Sequence, residues 1–289
     1  MAVLITGASG LLGHDMVYTF ENAGFETIKI SHKKRESYIA LDLTTEEGIK
    51  SIAEMDFTAI IHTAAWRMPD QCMNDKKGAH RMNVWVSEQL AHIAKDKNVP
   101  MIYISTDYVF SGNNPPYTEE SVADPVNDYG ESKLLGEQRV LEISDNNISL
   151  RIPYLYGIRA GLEASQLLTQ SIDALKSTTP WQMDHTSSRY PTYTGDVADA
   201  SLFLLKNKFS GTFHFSGLDR LTRYEITEVF AHVLNRPMTN IVQQMIAPVT
   251  EAQRPLDSHL ASDKIHTLGL PPPLPFKERI AEILSTLPI

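Results

Sequence analysis

The sequence predicts an α/β protein: a doubly wound parallel sheet carrying a smaller C-terminal lobe. Three observations lead there. Short β-branched or apolar runs alternate with amphipathic stretches as far as Ile152. A glycine-rich turn follows the first of these runs immediately. Beyond about Arg151 the alternation weakens, and prolines cluster at Pro271, Pro272, Pro273 and Pro275.

The strand-like runs fall at 3–6, 27–30, 38–41, 59–62, 101–105 and 148–152. They are too short for ordinary helices and are bounded by polar or turn residues, as strands buried on both faces of a parallel sheet are. The first helix is expected over 11–23 and ends at Gly24, because glycine takes the left-handed conformation past a helix without a Cβ penalty. Thr44-Thr45-Glu46-Glu47 has the spacing of a capping box. Over 75–97, Met82, Val86, Leu90, Ile93 and Ala94 recur at helical spacing. Right-handed crossovers then place helices on both faces of the sheet. Later helices are expected over 223–234 and 276–284. No flexible linker or repeat separates the halves. The expected organisation is a nucleotide-binding domain over 1–154, to which about 191–217 returns, and a substrate-binding lobe over 155–190 and 218–289.

Composition narrows the class of partner. The net charge of -9 disfavours nucleic acid and anionic membrane. No run approaches the roughly 18 apolar residues that span a bilayer, and no basic segment precedes an apolar block at the N-terminus, so a cytoplasmic protein is expected. Cys72 is the single cysteine and reads as a passive, partly buried thiol. The ten histidines, among them His32, His62, His185 and His214, are scattered without metal-ligand spacing, and no metal is expected. Trp66, Trp85 and Trp181 read as packing residues.

Thr6-Gly7-Ala8-Ser9-Gly10-Leu11-Leu12-Gly13 leaves the first strand and opens the first helix. Gly7 and Gly10 permit a tight turn and close backbone approach to a pyrophosphate, and Gly13 lets helix and strand pack closely. Ser9, Leu11 and Leu12 complete this cofactor turn, where helix amides and dipole favour an anion. The second strand then runs into Ser31-His32-Lys33-Lys34-Arg35, with no acid before Glu36. A carboxylate there would accept from a ribose 2′-hydroxyl; bases instead attract a 2′-phosphate. NADP(H) is therefore the expected cofactor, with the contacting base left open and a merely basic solvated loop as the alternative.

Ser105-Thr106-Asp107-Tyr108 leaves a strand, and Tyr129-Gly130-Glu131-Ser132-Lys133 begins a helix. Tyrosine and lysine at i and i+4 share one helical face. A neighbouring ammonium is expected to draw the phenol down from its ordinary value of about 10, and the Thr106 hydroxyl can hold a carbonyl oxygen.

This set resembles the extended short-chain dehydrogenase/reductases, particularly the dTDP-4-dehydrorhamnose reductase family. The resembling segments are TGASGLLG, HTAA at 62–65, STDYVFSG at 105–112, PPYTEE at 115–120, YGESKLLGE at 129–137 and LRIPYLYG at 150–157. The resemblance implies Thr106, Tyr129 and Lys133 as the catalytic set, with Tyr129 giving a proton to a sugar ketone and Lys133 holding the nicotinamide ribose. It implies Asp42 and Leu43 near the adenine, and Ala64 and Ala65 beside the nicotinamide. Trp66, Asp107, Tyr108 and Tyr154 are implied to face the substrate. Asn83 is placed with equal weight as a functional or a helix-stabilising side chain. The long helix serves the core and, as the family implies, a homodimer interface.

Trp66-Arg67-Met68-Pro69-Asp70 departs from the more acidic stretch of the sugar reductases. It is similar instead to the regulatory β subunit of methionine adenosyltransferase, a relative that binds NADP. Segments at 183–185, 189–192, 211–217, 222–225 and 252–255 share that likeness. Arg189 and Arg254 are candidates for gripping an anionic substrate or for ion pairs within the lobe. The leading expectation is an NADPH-dependent reductase of a nucleotide-linked 4-keto sugar. The alternative is an NADP-binding regulatory or scaffold subunit of a partner enzyme. A dehydratase or epimerase ranks last, because Thr106-Asp107-Tyr108 lacks an Asp-Glu pair.

Overall fold

A computed structural model describes residues 2–287. Along the chain run the strands β1 (Ala2–Thr6), β2 (Glu26–Ser31), β3 (Ile39–Ala40), β4 (Ala59–His62), β5 (Met101–Thr106), β6 (Ile148–Ile152), β7 (Leu155–Tyr156), β8 (Trp181–Asp184), β9 (Thr192–Tyr193), β10 (Gly211–His214) and β11 (Ile241–Gln244). Seven of them form one parallel sheet in the order β10-β6-β5-β4-β1-β2-β3. The fold is α/β, a doubly wound Rossmann-type sheet with small additional sheets, β8 with β11 and β7 with β9. Strand order reverses between β1 and β4, and a crevice opens at such a switch point beyond the carboxyl ends of the strands.

The helices are α1 (Leu11–Asn22), α2 (Glu46–Ala53), α3 (Pro69–Asn74), α4 (Lys76–His80), α5 (Val86–Asp96), α6 (Asp128–Ile143), α7 (Gln166–Lys176), α8 (Thr194–Lys206), α9 (Arg223–Val233), α10 (Asp263–Thr267) and α11 (Phe276–Ser285). Because helices cover both faces, consecutive strand residues are buried on opposite sides. Ile5, Ile61 and Ile102 pack with Met16 and Phe20 of α1 and Leu204 of α8. Leu4, Ile60 and Met101 pack with Leu90 of α5 and Val140 of α6. Each such side chain contributes roughly 1.5–3 kcal/mol on burial. A separate core beneath the crevice joins Tyr156, Leu168 and Ile172 to Phe230, Phe276 and Ile280. Among the described residues no helix is long and apolar enough to cross a membrane.

Two helical expectations are refined. The cap of α2 is Thr45, whose side chain accepts from the Gly48 amide; three residues on stands glycine, so no glutamate reaches back, and Thr44 turns to Asp42 instead. The stretch expected as one helix over 75–97 is α4, a π-helical turn at Arg81–Trp85, and α5. Apolar periodicity carries through, but the wider turn shifts Asn83 toward β4 and α6, where its side chain is held.

Candidate functional site

A cleft of about 1530 Å³ lies beyond the carboxyl ends of β1, β4, β5 and β6, with α7, α9 and residues 247–256 on its far side. One end of the cleft is formed by the glycine turn. Gly7 has φ +64°, and a Cβ there would stand 2.7 Å from the Ala64 nitrogen; at Gly13 a Cβ would stand 2.1 Å from the Gly7 carbonyl oxygen. Only glycine allows this approach of turn, strand and helix. The N-cap of α1 is Gly10, which provides no side-chain cap, and the first turn holds no acid. The early amides and the positive helix end are thus left to the cleft. Ser9, Gly10, Leu11, Leu12 and Gly13 line it. The Ser31 hydroxyl donates to the Lys33 carbonyl, so Ser9 donates to Ser31 at 3.0 Å. An uncapped helix end behind a glycine cradle fits the pyrophosphate of a dinucleotide.

Further along, Ser31, His32, Asp42 and Leu43 line the cleft, as do Ala64 and Ala65. The Asp42 carboxylate is engaged by the Thr44 hydroxyl and amide, which hold its pKa below the usual range. The basic run divides: the lining reaches His32, while Lys33, Lys34 and Arg35 are exposed beyond it.

Thr106, Tyr129 and Lys133 all line the same cleft. Thr106 ends β5. Tyr129 and Lys133 lie one turn apart at the start of α6, whose cap, Asn127, accepts from the Gly130 amide. The Thr106 hydroxyl donates to Asp107 Oδ1 at 3.1 Å and accepts from the Tyr108 amide. Lys133 Nζ stands 3.9 Å from the centre of the Tyr103 ring. Burial pushes the Lys133 ammonium down to about 7, with Glu137 opposing. Burial also pushes the Tyr129 phenol well above its ordinary value, with the Thr106 hydroxyl opposing. The expected lowering of Tyr129 by Lys133 is therefore not the governing effect. Removing a phenolate from water costs more than the Thr106 hydroxyl returns, and Asp107 and Tyr108 add to that cost. Tyr129 is held protonated, the form a proton donor needs.

Trp66, Asp107, Tyr108, Tyr154, Arg189 and Arg254 also line the cleft. Arg254 Nη2 pairs with Asp70 at 2.7 Å, while its Nη1 is buried without a partner among the described residues. Arg189 donates to the Ser188 and Pro255 carbonyls. Asp107 accepts from the Thr106 and Ser258 hydroxyls, and burial pushes its carboxyl up to about 6. Arg67, Asp70 and Arg223 also reach the cleft and were missed; no motif spacing marks them, and only chain folding brings them there. Asn83 does not line the cleft. Its Oδ1 accepts from the Trp66 amide at 2.9 Å, and its Nδ2 donates to the Trp66 carbonyl and to Ser132 Oγ.

The family described as RmlD substrate binding domain matches residues 1–288. The chain is 37% identical to methionine adenosyltransferase 2 subunit beta of Mus musculus over 290 residues, covering 98% of this chain and 86% of that protein. It is 31% identical to a probable low-salt glycan biosynthesis reductase of Haloferax volcanii, over 90% of this chain and 89% of that one. A dTDP-4-dehydrorhamnose reductase from Bacillus anthracis, solved in complex with NADP, has the same fold, with a TM-score of 0.88 at 24% identity over 99% of this chain and 98% of that one.

Proposed function

The chain belongs to the RmlD substrate-binding-domain family of extended short-chain dehydrogenase/reductases, and from that premise we propose that it is an NADPH-dependent reductase of a nucleotide-linked 4-keto sugar. The observation that carries this reading is the convergence of Thr106, Tyr129 and Lys133 on the wall of the cleft that also holds the glycine turn. NADPH, held by the turn and by Ser31, His32, Asp42 and Leu43, would supply hydride to the carbonyl carbon. Tyr129 gives its proton to the carbonyl oxygen, and burial keeps that proton in place beforehand. Thr106 orients the same oxygen. Lys133, one helical turn along from Tyr129, would hold the nicotinamide ribose. Trp66, Tyr108 and Tyr154 enclose the sugar, and Arg254, with one nitrogen fixed by Asp70 and another buried without a partner among the described residues, is placed to meet an anionic group.

A second reading has its own support. Relatives covering nearly the whole chain are named as a subunit of methionine adenosyltransferase, which favours an NADP-binding regulatory or scaffold subunit of a partner enzyme. Following NADPH absorbance with dTDP-4-dehydro-L-rhamnose separates the two. Oxidation abolished in Tyr129→Phe, with NADPH binding retained, supports the reductase. Tight NADPH binding without oxidation, together with a stoichiometric enzyme recovered from lysate, supports the subunit. Oxidation undiminished in Tyr129→Phe would remove Tyr129 as the acid.

A further inference from the structure

Thr6, His62 and Ser87 form a buried line that lines no part of the cleft yet joins two of its walls. Thr6 is the last residue before the Gly7 turn. Ser87 lies on α5, one turn beyond Asn83. The three residues are 0%, 1% and 0% exposed, so water cannot substitute for a missing partner.

The directions of the bonds can be assigned. The Ser87 hydroxyl donates to the Asn83 carbonyl at 2.8 Å, which commits its only proton. The 3.1 Å contact between Ser87 Oγ and His62 Nε2 is therefore a ring N–H donating to the hydroxyl oxygen. His62 Nδ1 accepts the Thr6 hydroxyl proton at 2.7 Å, and the Thr6 oxygen faces the Ala64 amide at 3.4 Å. Donation runs one way, from Ala64 through Thr6, His62 and Ser87 to Asn83. The neutral Nε2–H tautomer satisfies every member, whereas a doubly protonated ring would set two donors against each other at Thr6. Burial, reinforced by Lys133, independently pushes the ring down to about 3. From Asn83 the line continues: its Nδ2 donates to Ser132 Oγ at 3.0 Å, and Ser132 donates to the Tyr129 carbonyl at 2.9 Å.

We propose that His62 is a positioning residue, a neutral ring that couples the glycine turn to α5 and, through Asn83 and Ser132, to the stretch of α6 bearing Tyr129 and Lys133. The inference rests on the cofactor reading given above but not on turnover. A histidine that merely filled the core would affect stability without linking remote residues to cofactor affinity. Under the proposal, Ser87 reaches the glycine turn of the cofactor site only through His62.

The test is NADPH titration of the full chain by nicotinamide fluorescence, with thermal unfolding in parallel. Ser87→Ala and Thr6→Val are each expected to weaken NADPH by about five- to ten-fold, the size of one buried hydrogen bond. The double variant is expected to be no weaker than the worse single one, because the line is already broken. In a His62→Phe background, which keeps ring volume, Ser87→Ala is expected to add nothing. Should His62→Phe not fold, the Thr6/Ser87 cycle decides alone. Ser87→Ala that binds like the wild type, or losses that simply add, would overturn the proposal while leaving the cofactor reading intact. A wild-type chain that does not bind NADPH would overturn both together.

Discussion

Asp107 is the side chain whose setting constrains the site most tightly. It takes hydrogen bonds from Thr106 on its own strand end and from Ser258, far along the chain, and burial raises its carboxyl to about 6. While ionised it holds the Thr106 hydroxyl, the group proposed to orient the substrate oxygen. The consequence for stability has a definite sign. The folded value lies above the unfolded value of 3.8, so the folded state binds more protons between them, and stability falls as pH rises through pH 4 to 6. Asp107→Asn cannot ionise. Its unfolding midpoint relative to the wild type is expected to climb from pH 4 to about pH 6 and then level. Parallel midpoints across that range, measured by thermal unfolding in a pH series, would show that the buried carboxyl carries no such cost. Thr106, Tyr129 and Lys133 were legible in the sequence because hydroxyl, phenol and amine stand at strand-end and i, i+4 positions. The sign of the Tyr129 shift was not, because burial depends on what packs above the helix.

At the scale of elements, α6 is positioned by what it can approach. Gly136 faces the π-helical turn so closely that a Cβ would stand 2.1 Å from the Asn83 carbonyl oxygen and 2.7 Å from the Tyr103 hydroxyl. On its other side Glu137 pairs with buried Arg151 of β6 at 2.5 Å. A backbone carbonyl cannot yield as a flexible side chain does. Gly136→Ala is therefore expected to destabilise the protein by about 1–3 kcal/mol and, under the proposed reductase activity, to lower turnover more than NADPH affinity, since Tyr129 and Lys133 ride on the displaced helix. Urea denaturation and steady-state kinetics check the two parts; a variant of wild-type stability would mean that α6 shifts freely. The periodicity over 75–97 made the helix legible, but not the π turn within it. Apolar spacing tolerates one extra residue, and only the side-chain clamp on Trp66 identifies where it falls.

At the scale of the molecule, residues 247–258 tie the lobe across the cleft. Asp70 of α3 accepts from the Ala252 amide and from Arg254, Asn127 donates to the Gln253 carbonyl, and Arg189 donates to the Pro255 carbonyl. Val249 on this segment and Ile246 just before it face solvent, so polar ties rather than apolar burial hold much of it down. Asp70→Asn is expected to speed amide hydrogen exchange over 247–256 by roughly three- to ten-fold, as loss of a partly exposed pair should, while β1 and β4 exchange as before. Unchanged exchange in that segment would mean that Asp70 contributes nothing to holding it.

The sequence by itself determined the parallel sheet, the glycine turn after β1 and the order of Thr106, Tyr129 and Lys133 along the chain. Each is a local matter: strands buried on both faces read as apolar runs, a turn without room for Cβ reads as glycine, and one helical face reads as i, i+4. Only the tertiary structure decided that β10 closes the sheet beside β6, that the basic run leaves the cleft at His32, and that Arg67, Asp70, Arg223 and Arg254 line the same cleft. Those outcomes depend on contacts between residues far apart in the chain, where burial and hydrogen-bond partners are set by neighbours that no local spacing names.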